Sequence, residues 1–509
     1  MAPYVHQSPT KSGSVRVRVV WSRVGGKRQM THVGTARSAE ALEDLKAIGK
    51  EMISAGQGEL DLVISADQDD ASFTPRVGVV LEEVGSKTTY LWESLNAAYR
   101  ALGFHKAAGG DEVFRDLVLA RIIEPGSKAD AVRVCDEAGY PTRSYPTIMR
   151  RLKLYSADGW RQAMASACAR HADLGPKTLV LFDVTTLFWE SDQGDDLRKP
   201  GFSKERRLEP QVTVGLLATA DGFPLQIAAY EGNKAEIQTM LPTLADFCKV
   251  HDITDMVVVA DSGMNSTGNI RALEKAGLWF ILGGKMTEVP YQIDRWHEQN
   301  PGKQMPDGLI LTQPWPASRS DGRRDATRFY RYCADHAKRT LRGIDEQVRK
   351  AEDAVAGRRP VKNNKYVRLT GGSKTVNRSL EARARKLAGI KAYETNIPNP
   401  DPEFIVRSYR QLGQIEKSFR MSKSDLKARP AWVYSRPSIE AHLTIVFTAL
   451  AVSRWIEETT EWSIKKYVKT LRRYRTTYVM VGDRQLPAEK PIPADIANIL
   501  TLVTQRTRG

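Results

Sequence analysis

The chain has 509 residues, 41% of them hydrophobic, and its 76 Lys+Arg against 60 Asp+Glu leave a formal charge of +16 and a pI of about 9.5. Apolar residues enough for several cores, over a length of roughly three to four domains, exclude a peptide or a disordered tail. The cation excess calls for a polyanionic partner, nucleic acid first and an anionic membrane surface second.

The longest apolar run, residues 443–452, is half of what a bilayer crossing needs, and Met1-Ala-Pro-Tyr leads into polar residues, not an apolar leader. Cys135, Cys168, Cys248 and Cys333 lie far apart, with neither zinc spacing nor a disulfide framework. A soluble cytoplasmic protein without a membrane partner is the expectation.

In chain order, residues 1–80 read as a small α+β module. A strand over 15–22, a Gly25-Gly26-Lys27 turn and a returning strand over 29–33 precede a helix over 38–54. A linker leads to a helical region, 88–174, in which apolar residues recur at three-to-four spacing. Within it, helices over 127–139 and from Ser144 or Thr147 to Leu154 resemble a helix-turn-helix, the second carrying Arg150 and Arg151 toward DNA.

From Lys177 the pattern becomes β-β-β-α-β-α-β. Strands are predicted over 178–184, 210–220 and 223–230, the last two joined by an Asp221-Gly222 turn, with further buried strands over 256–260 and 278–282. Such a mixed α/β sheet opening on a meander is the order of a ribonuclease H-like core, here assigned to 175–285 and 391–430. Between these pieces, 286–390 loses the sheet pattern and reads as a basic insertion, with 16 Lys/Arg against 5 Asp/Glu over 338–391. A short strand over 392–397 and one long helix from Asp401 or Pro402 to Ser424 complete the core, and 431–509 reads as helical.

Asp183 and Asp261 each close a hydrophobic strand, in Leu-Phe-Asp-Val-Thr and Val-Ala-Asp-Ser-Gly. Two carboxylates on neighbouring strand tips repel unless a cation lies between them, and Mg²⁺ favours one or two carboxylates with water and phosphate oxygens. On the long helix, Tyr409, Glu416 and Lys423 recur every seven residues, within about 20° of two full turns, so they line one stripe with Arg420 beside Glu416. Gly413, a turn before Glu416, weakens the helix and points to close backbone approach.

Asp183-Val-Thr-Thr-Leu, Gly201-Phe-Ser-Lys-Glu-Arg-Arg, Gly232-Asn233, Ala260-Asp261-Ser-Gly-Met and Tyr409…Glu416-Lys-Ser-Phe-Arg420…Lys423 together resemble the DDE insertion-sequence transposases. More narrowly they resemble the bacterial branch with a Tyr-Arg-Glu-Lys signature and an insertion before the last acid, over residues 90–460. The resemblance implies that Asp183, Asp261 and Glu416 hold two Mg²⁺ ions, with Mn²⁺ as a substitute. The implied reaction cuts DNA at the element's inverted repeats and transfers the freed strand into target DNA, without a covalent enzyme intermediate.

It also implies double-stranded DNA at both transposon end and target, and a homodimer in a synaptic complex at the bacterial nucleoid. The signature Tyr and Lys fall on Tyr409 and Lys423. The signature Arg falls on Leu412, a departure for which Arg410 or Arg420 could substitute. Lys204, Arg206 and Arg207, and then Arg420, Lys423, Lys427 and Arg429, are the candidate phosphate contacts. Trp296, Trp315 and Trp432 are open candidates for stacking on a flipped base. A stand-alone endonuclease of the same fold and a catalytically silent DNA-binding protein are the alternatives.

Overall fold

A computed structural model describes residues 4–9, 15–24, 27–36, 39–54, 82–188, 194–201, 209–234, 238–317, 323–360, 364–370, 373–428, 433, 435–481, 484–489 and 491–507. By its internal contacts the chain divides into two units, Met1–Tyr90 with Thr470–Asn498 and Leu91–Lys469 with Ile499–Gly509. In the first unit, β1 (Tyr4–Pro9), β2 (Val15–Val24) and β3 (Lys27–Ala36) form an antiparallel sheet against which α1 (Ala39–Ser54) packs, and β4 (Glu82–Lys87) follows.

The second unit begins with helices α2 (Thr89–Ala101), α3 (Phe104–Ala107), α4 (Glu112–Ile123), α5 (Lys128–Glu137), α6 (Tyr145–Tyr155) and α7 (Asp158–Ala172). Then come β5 (Thr178–Phe188), β6 (Gln211–Thr219), β7 (Pro224–Glu231), α8 (Met240–His251), β8 (Met256–Ala260), α9 (Thr267–Lys275) and β9 (Trp279–Gly284). Next are α10 (Tyr291–Gln299), β10 (Ile310–Trp315), β11 (Ala326–Tyr332), α11 (Ala334–Val355), β12 (Val367–Thr370), β13 (Ser373–Val376), α12 (Arg378–Lys386) and β14 (Ile390–Thr395). Helices α13 (Pro402–Arg410), α14 (Leu412–Arg420), α15 (Arg436–Thr460) and α16 (Ile464–Leu471) lead to β15 (Thr476–Val481), β16 (Arg484–Glu489) and α17 (Ala494–Arg506).

Eight strands make the central sheet, in the order β10-β11-β14-β9-β8-β5-β6-β7. Strand β5 pairs in parallel with β8, and β8 with β9, whereas β6 and β7 run as an antiparallel meander from β5. The all-apolar β8, buried at all five positions, suits a strand covered on both faces. Val180, Phe182 and Val184 of β5, Val258 and Ala260 of β8, and Phe280 and Leu282 of β9 point to one face, where Leu244 and Phe247 of α8 and Ile270 and Leu273 of α9 complete the core. The intervening residues, Asp183 among them, face the other way, toward α13 and α14.

Several expectations need correction. Asp183 does not end its strand, because β5 pairs with β6 as far as Phe188↔Gln211; only the parallel pairing stops beside it, at Phe182↔Ala260. The stretch 286–390, read as lying outside the sheet, supplies β10 and β11, which extend that sheet through β14. Helices α11 and α12 and the β12–β13 hairpin gather a small core of their own around Ile344, Val348, Ala351 and Tyr366, while α10 packs through Ile293 on β11 and β14.

The long helix of 401–424 bends at Gln411 into α13 and α14 and ends in a π turn, Met421–Asp425. Residues 431–509 are not all helical, since β15 and β16 pair with β4 in a three-stranded sheet of the first unit.

The helix pair in 127–155 forms as expected. Ser127 and Asp130 make a reciprocal capping box at the start of α5, and Ser144, not Thr147, precedes α6. Among the described residues one helix, Arg436–Thr460, is long and apolar enough to cross a bilayer, and 89% of its apolar window is packed inside the fold, as in a core helix.

Candidate functional site

The register Phe182↔Ala260 between parallel β5 and β8 sets the next residue of each chain, Asp183 and Asp261, at the same level of the sheet. Asp183 is half-buried and its Oδ1 accepts from the Val184 amide at 2.8 Å. Asp261 is exposed at the head of a short 3-10 turn, Ser262–Met264, that turns the chain away from the sheet. Helix α13 is set by Asp401, whose carboxylate caps the amides of Glu403 and Phe404, and by Pro402 in its first turn. Ile405 and Val406 anchor that helix, while Leu412, Ile415 and Phe419 bury one face of α14 and leave Glu416 exposed.

The β6–β7 turn holds α14 in place. Ser418, fully buried, donates to the Gly222 carbonyl at 2.7 Å, and Gly222 itself has φ +83° with Gln414 O 2.8 Å from where a Cβ would stand. The close backbone approach expected at Gly413 is therefore found at Gly222. Gly413 meets nothing within 4 Å and leaves the helix surface open.

Asp183, Asp261 and Glu416, from three distant segments, line one cleft of about 430 Å³. Tyr409 lines it too: its hydroxyl donates to Asp261 Oδ1 at 2.8 Å, and its ring meets Tyr393 edge-on with centroids 4.9 Å apart. Burial pushes the Tyr409 phenol well up, and the charge and hydrogen bond of Asp261 push it further, so it stays a donor. The tyrosine fits only because Gly283 of β9 has no side chain, since a Cβ there would stand 2.5 Å from the Tyr409 hydroxyl and 2.7 Å from Ser262 N.

The other predicted residues divide. Arg410 lines the cleft, as does Leu412, where the signature Arg was expected; Arg420 and Lys423 are not among its lining residues. The π turn, wider than an α turn, interrupts the seven-residue stripe before Lys423. Lys427 is exposed beyond that turn, with φ +43°.

Arg151 is tied to Asp111, which also accepts from Tyr155 at 3.1 Å, so it joins α6 to the helical core; Arg150 is exposed. Lys204, Arg206, Arg207, Arg429 and Trp432 lie outside the described residues. Trp315 lies under the Arg328 guanidinium at 3.5 Å, and Trp296 packs on the core around Ile293.

Sequence reasoning missed the rest of the lining, made by Arg331 and Cys333 at the end of β11, His336 and Arg339 of α11, and Lys391 and Tyr393 of β14. Its one signal was the alternation Arg331-x-Cys333 and Lys391-x-Tyr393, which means nothing until the two strands are known to pair.

Three carboxylates facing one cleft form an oxygen donor set of the kind Mg²⁺ takes, with the Tyr409 phenol orienting Asp261. Among the described residues, no three His, Cys, Asp or Glu side chains stand close enough to grip a single ion as placed. The set suits ions that keep several waters, each held by one or two carboxylates.

The comparison with curated proteins yields no match. Among solved structures, a cryo-EM piggyBac transposase synaptic complex with hairpin DNA overlaps 82% of this chain and 72% of that one, at 9% identity and a TM-score of 0.38, too loose an overlap to bear on fold or activity. The family model described as the transposase DDE domain matches residues 174–452, which span β5 to β14 and all three cleft acids. With more than half its length in that match, the chain belongs to the DDE-domain transposases.

Proposed function

We propose that this transposase serves an insertion sequence of the Tyr-Arg-Glu-Lys branch, binding the element's terminal inverted repeats and catalysing strand cleavage and strand transfer into target DNA. The carrying observation is that Asp183, Asp261 and Glu416, up to 233 positions apart in the chain, reach one cleft. The order β7-β6-β5-β8-β9, a meander followed by parallel strands, supports a ribonuclease H-like core.

In this reading the three acids hold the divalent cations. Two Mg²⁺ ions, or Mn²⁺, would supply activation of the attacking oxygen and stabilisation of the leaving one. The protein's own part is positioning. Asp183 is fixed in mid-strand, Asp261 is oriented by the Tyr409 hydroxyl, and Glu416 is presented by a helix clamped at Gly222. Arg410, in the cleft, takes the phosphate-contacting part of the signature Arg absent at Leu412.

Water attacks at the transposon end first, and the freed 3′-hydroxyl then attacks target DNA. The helical region 88–174, the segment 431–509 and the basic stretch 286–390 serve DNA binding, with Lys204, Arg206, Arg207, Arg420, Lys423, Lys427 and Arg429 as phosphate contacts. The working form is a cytoplasmic homodimer holding two ends in synapsis.

The test is a cleavage and strand-transfer assay on a labelled fragment from the DNA flanking the gene, in Mg²⁺ or Mn²⁺, with Asp183→Asn, Asp261→Asn and Glu416→Gln. Metal-dependent cutting and joining, lost in each variant while DNA binding persists, is expected. Loss of binding in parallel with cutting would remove the metal-triad assignment.

A further inference from the structure

The part of the cleft formed by β11, α11 and β14 is cationic, and the reaction as proposed leaves most of it without a task. Antiparallel register sets Arg331 of β11 directly opposite Lys391 of β14, and both side chains line the cleft together with Arg339 of α11 and Arg410. Among the described residues none of these four has a carboxylate at ion-pair distance; Arg339 donates to the Asp335 carbonyl at 3.3 Å.

Elsewhere in the same stretch several cations are matched to acids. Arg378 pairs with Glu352 and Glu381, Arg385 with Asp345 and Glu381, and Lys386 with Asp294.

Like charges directly opposite on an antiparallel pair destabilise it. The next pair on that face, Phe329↔Tyr393, shows that these strands accept aromatic partners there. His336 of α11, lining the same cleft, is held below the usual imidazole value by burial and then by Lys391 and Arg339, which marks the same positive field. A cation pair kept against its own repulsion beside carboxylates needs an anion from outside the chain. A DNA phosphate is the anion that a transposase brings.

We propose that Arg331 and Lys391, supported by Arg339, clamp one backbone phosphate of the DNA strand lying in the cleft, next to the phosphodiester that faces the acids. The stretch between β9 and the last acid then positions substrate through the sheet it extends. Arg331 and Lys391 are positioning residues. The inference rests on the transposase reading of this cleft, but its test does not require cleavage.

Full-length protein is titrated into a fluorescein-labelled duplex of arbitrary sequence, since phosphate contacts are independent of sequence, and anisotropy gives Kd across a salt series. Arg331→Gln with Lys391→Gln should weaken binding and reduce the slope of log Kd against log salt by about 0.9, one phosphate's worth. Exchanging the two, Arg331→Lys with Lys391→Arg, should retain the slope. Lys249→Gln with Lys275→Gln, exposed on α8 and α9 against the other face, should leave it unchanged. Thermal unfolding of the free double-Gln protein should be unchanged or raised, because a repulsion has been removed.

An unchanged slope in the double-Gln protein, an equal drop in the α8/α9 control, or loss of the slope in the charge-conserving exchange would each overturn the clamp. A protein that binds with this slope change and never cuts would overturn the transposition reading alone. A protein that cuts with an unchanged slope would overturn the clamp alone.

Discussion

Gly283→Ala tests whether the cleft is held together as described. The added methyl would stand 2.5 Å from the Tyr409 hydroxyl, 2.7 Å from Ser262 N and 3.0 Å from Ser262 Cβ. To regain ordinary contact, the hydroxyl must retreat by about 1 Å and the Ser262 backbone by about 0.8 Å. Both are bound to Asp261, one by the 2.8 Å hydrogen bond and the other by the chain itself. Tyr393, edge-on to the tyrosine, blocks the easy retreat.

Overpacking of this kind costs about 1–3 kcal/mol, and a hydrogen bond to a carboxylate is worth about 1.5–3 kcal/mol, so a loss of roughly 2–4 kcal/mol is expected in urea unfolding. If Asp261 serves as proposed, displacing its carboxylate by most of an ångström should lower single-turnover cleavage by about 10²-fold. Tyr409→Phe removes the nearest clash together with the bond. In the double variant the two losses should therefore fall short of their sum, with a coupling of about 0.5–3 kcal/mol. Losses that add to within about 0.5 kcal/mol, or a Gly283→Ala protein as stable and active as the parent, would refute this account of Tyr409 and Asp261.

The remaining predictions concern how the cleft and its supports are built. Ser418→Ala removes the buried hydrogen bond to the Gly222 carbonyl and should cost about 1–2 kcal/mol, with a fall in cleavage as α14 loosens; Gly222→Ala, strained at φ +83° and crowded by Gln414, should cost more. Glu394, fully buried, accepts two bonds from Arg328 and one from Arg323. Glu394→Gln should cost about 3 kcal/mol in urea unfolding, the lower end for a broken buried pair because both arginines keep some contact with water.

Lys128, buried at the start of α5 with Arg121 close by, is held well below the usual lysine value by burial first and Arg121 second. Its unfolded form takes up a proton below about pH 10.4 that the folded form resists. Lys128→Met should therefore gain stability over the parent as pH falls below that value, by up to about 1.4 kcal/mol per unit, and lose the gain as pH rises. A pH-independent difference would show that the folded lysine titrates normally.

Much of this architecture was legible in the sequence because local chemistry decided it. The all-apolar β8 could be only a buried strand, Asp-Gly at 221–222 only a tight turn, and Ser127 with Asp130 a helix start. Asp261 does follow such a strand, β8. What was not legible depended on partners distant in sequence. β10 and β11 are six and seven residues long, with half-buried patterns that suit many neighbours, and only their pairing with each other and with β14, itself anticipated as a short strand over 392–397, gives their register. The seven-residue stripe of 409–423 assumed one straight helix, and the bend at Gln411 and the π turn lie below what periodicity resolves. Asp183 was placed at a strand end because its apolar run stops there, but β6 continues to pair with the polar residues that follow.

That error carries a mechanical consequence. A carboxylate at a strand tip moves with the loop beyond it, whereas Asp183 has paired backbone on both sides, from Val180↔Thr219 through Phe188↔Gln211. Asp261 has no such support beyond Ala260 and is held by Tyr409, while Glu416 rides on a helix fixed at Gly222. Of the three acids, Asp183 is the fixed reference, and the distances to the other two are set by contacts from β9 and the β6–β7 turn. The cation wall is carried on the same sheet, through Tyr393↔Gly283 between β14 and β9. A shift of β9 would therefore move Tyr409's seat and the Arg331–Lys391 pair together, so the extension of the sheet by β14 and β11 ties these cations to the acids through one continuous register.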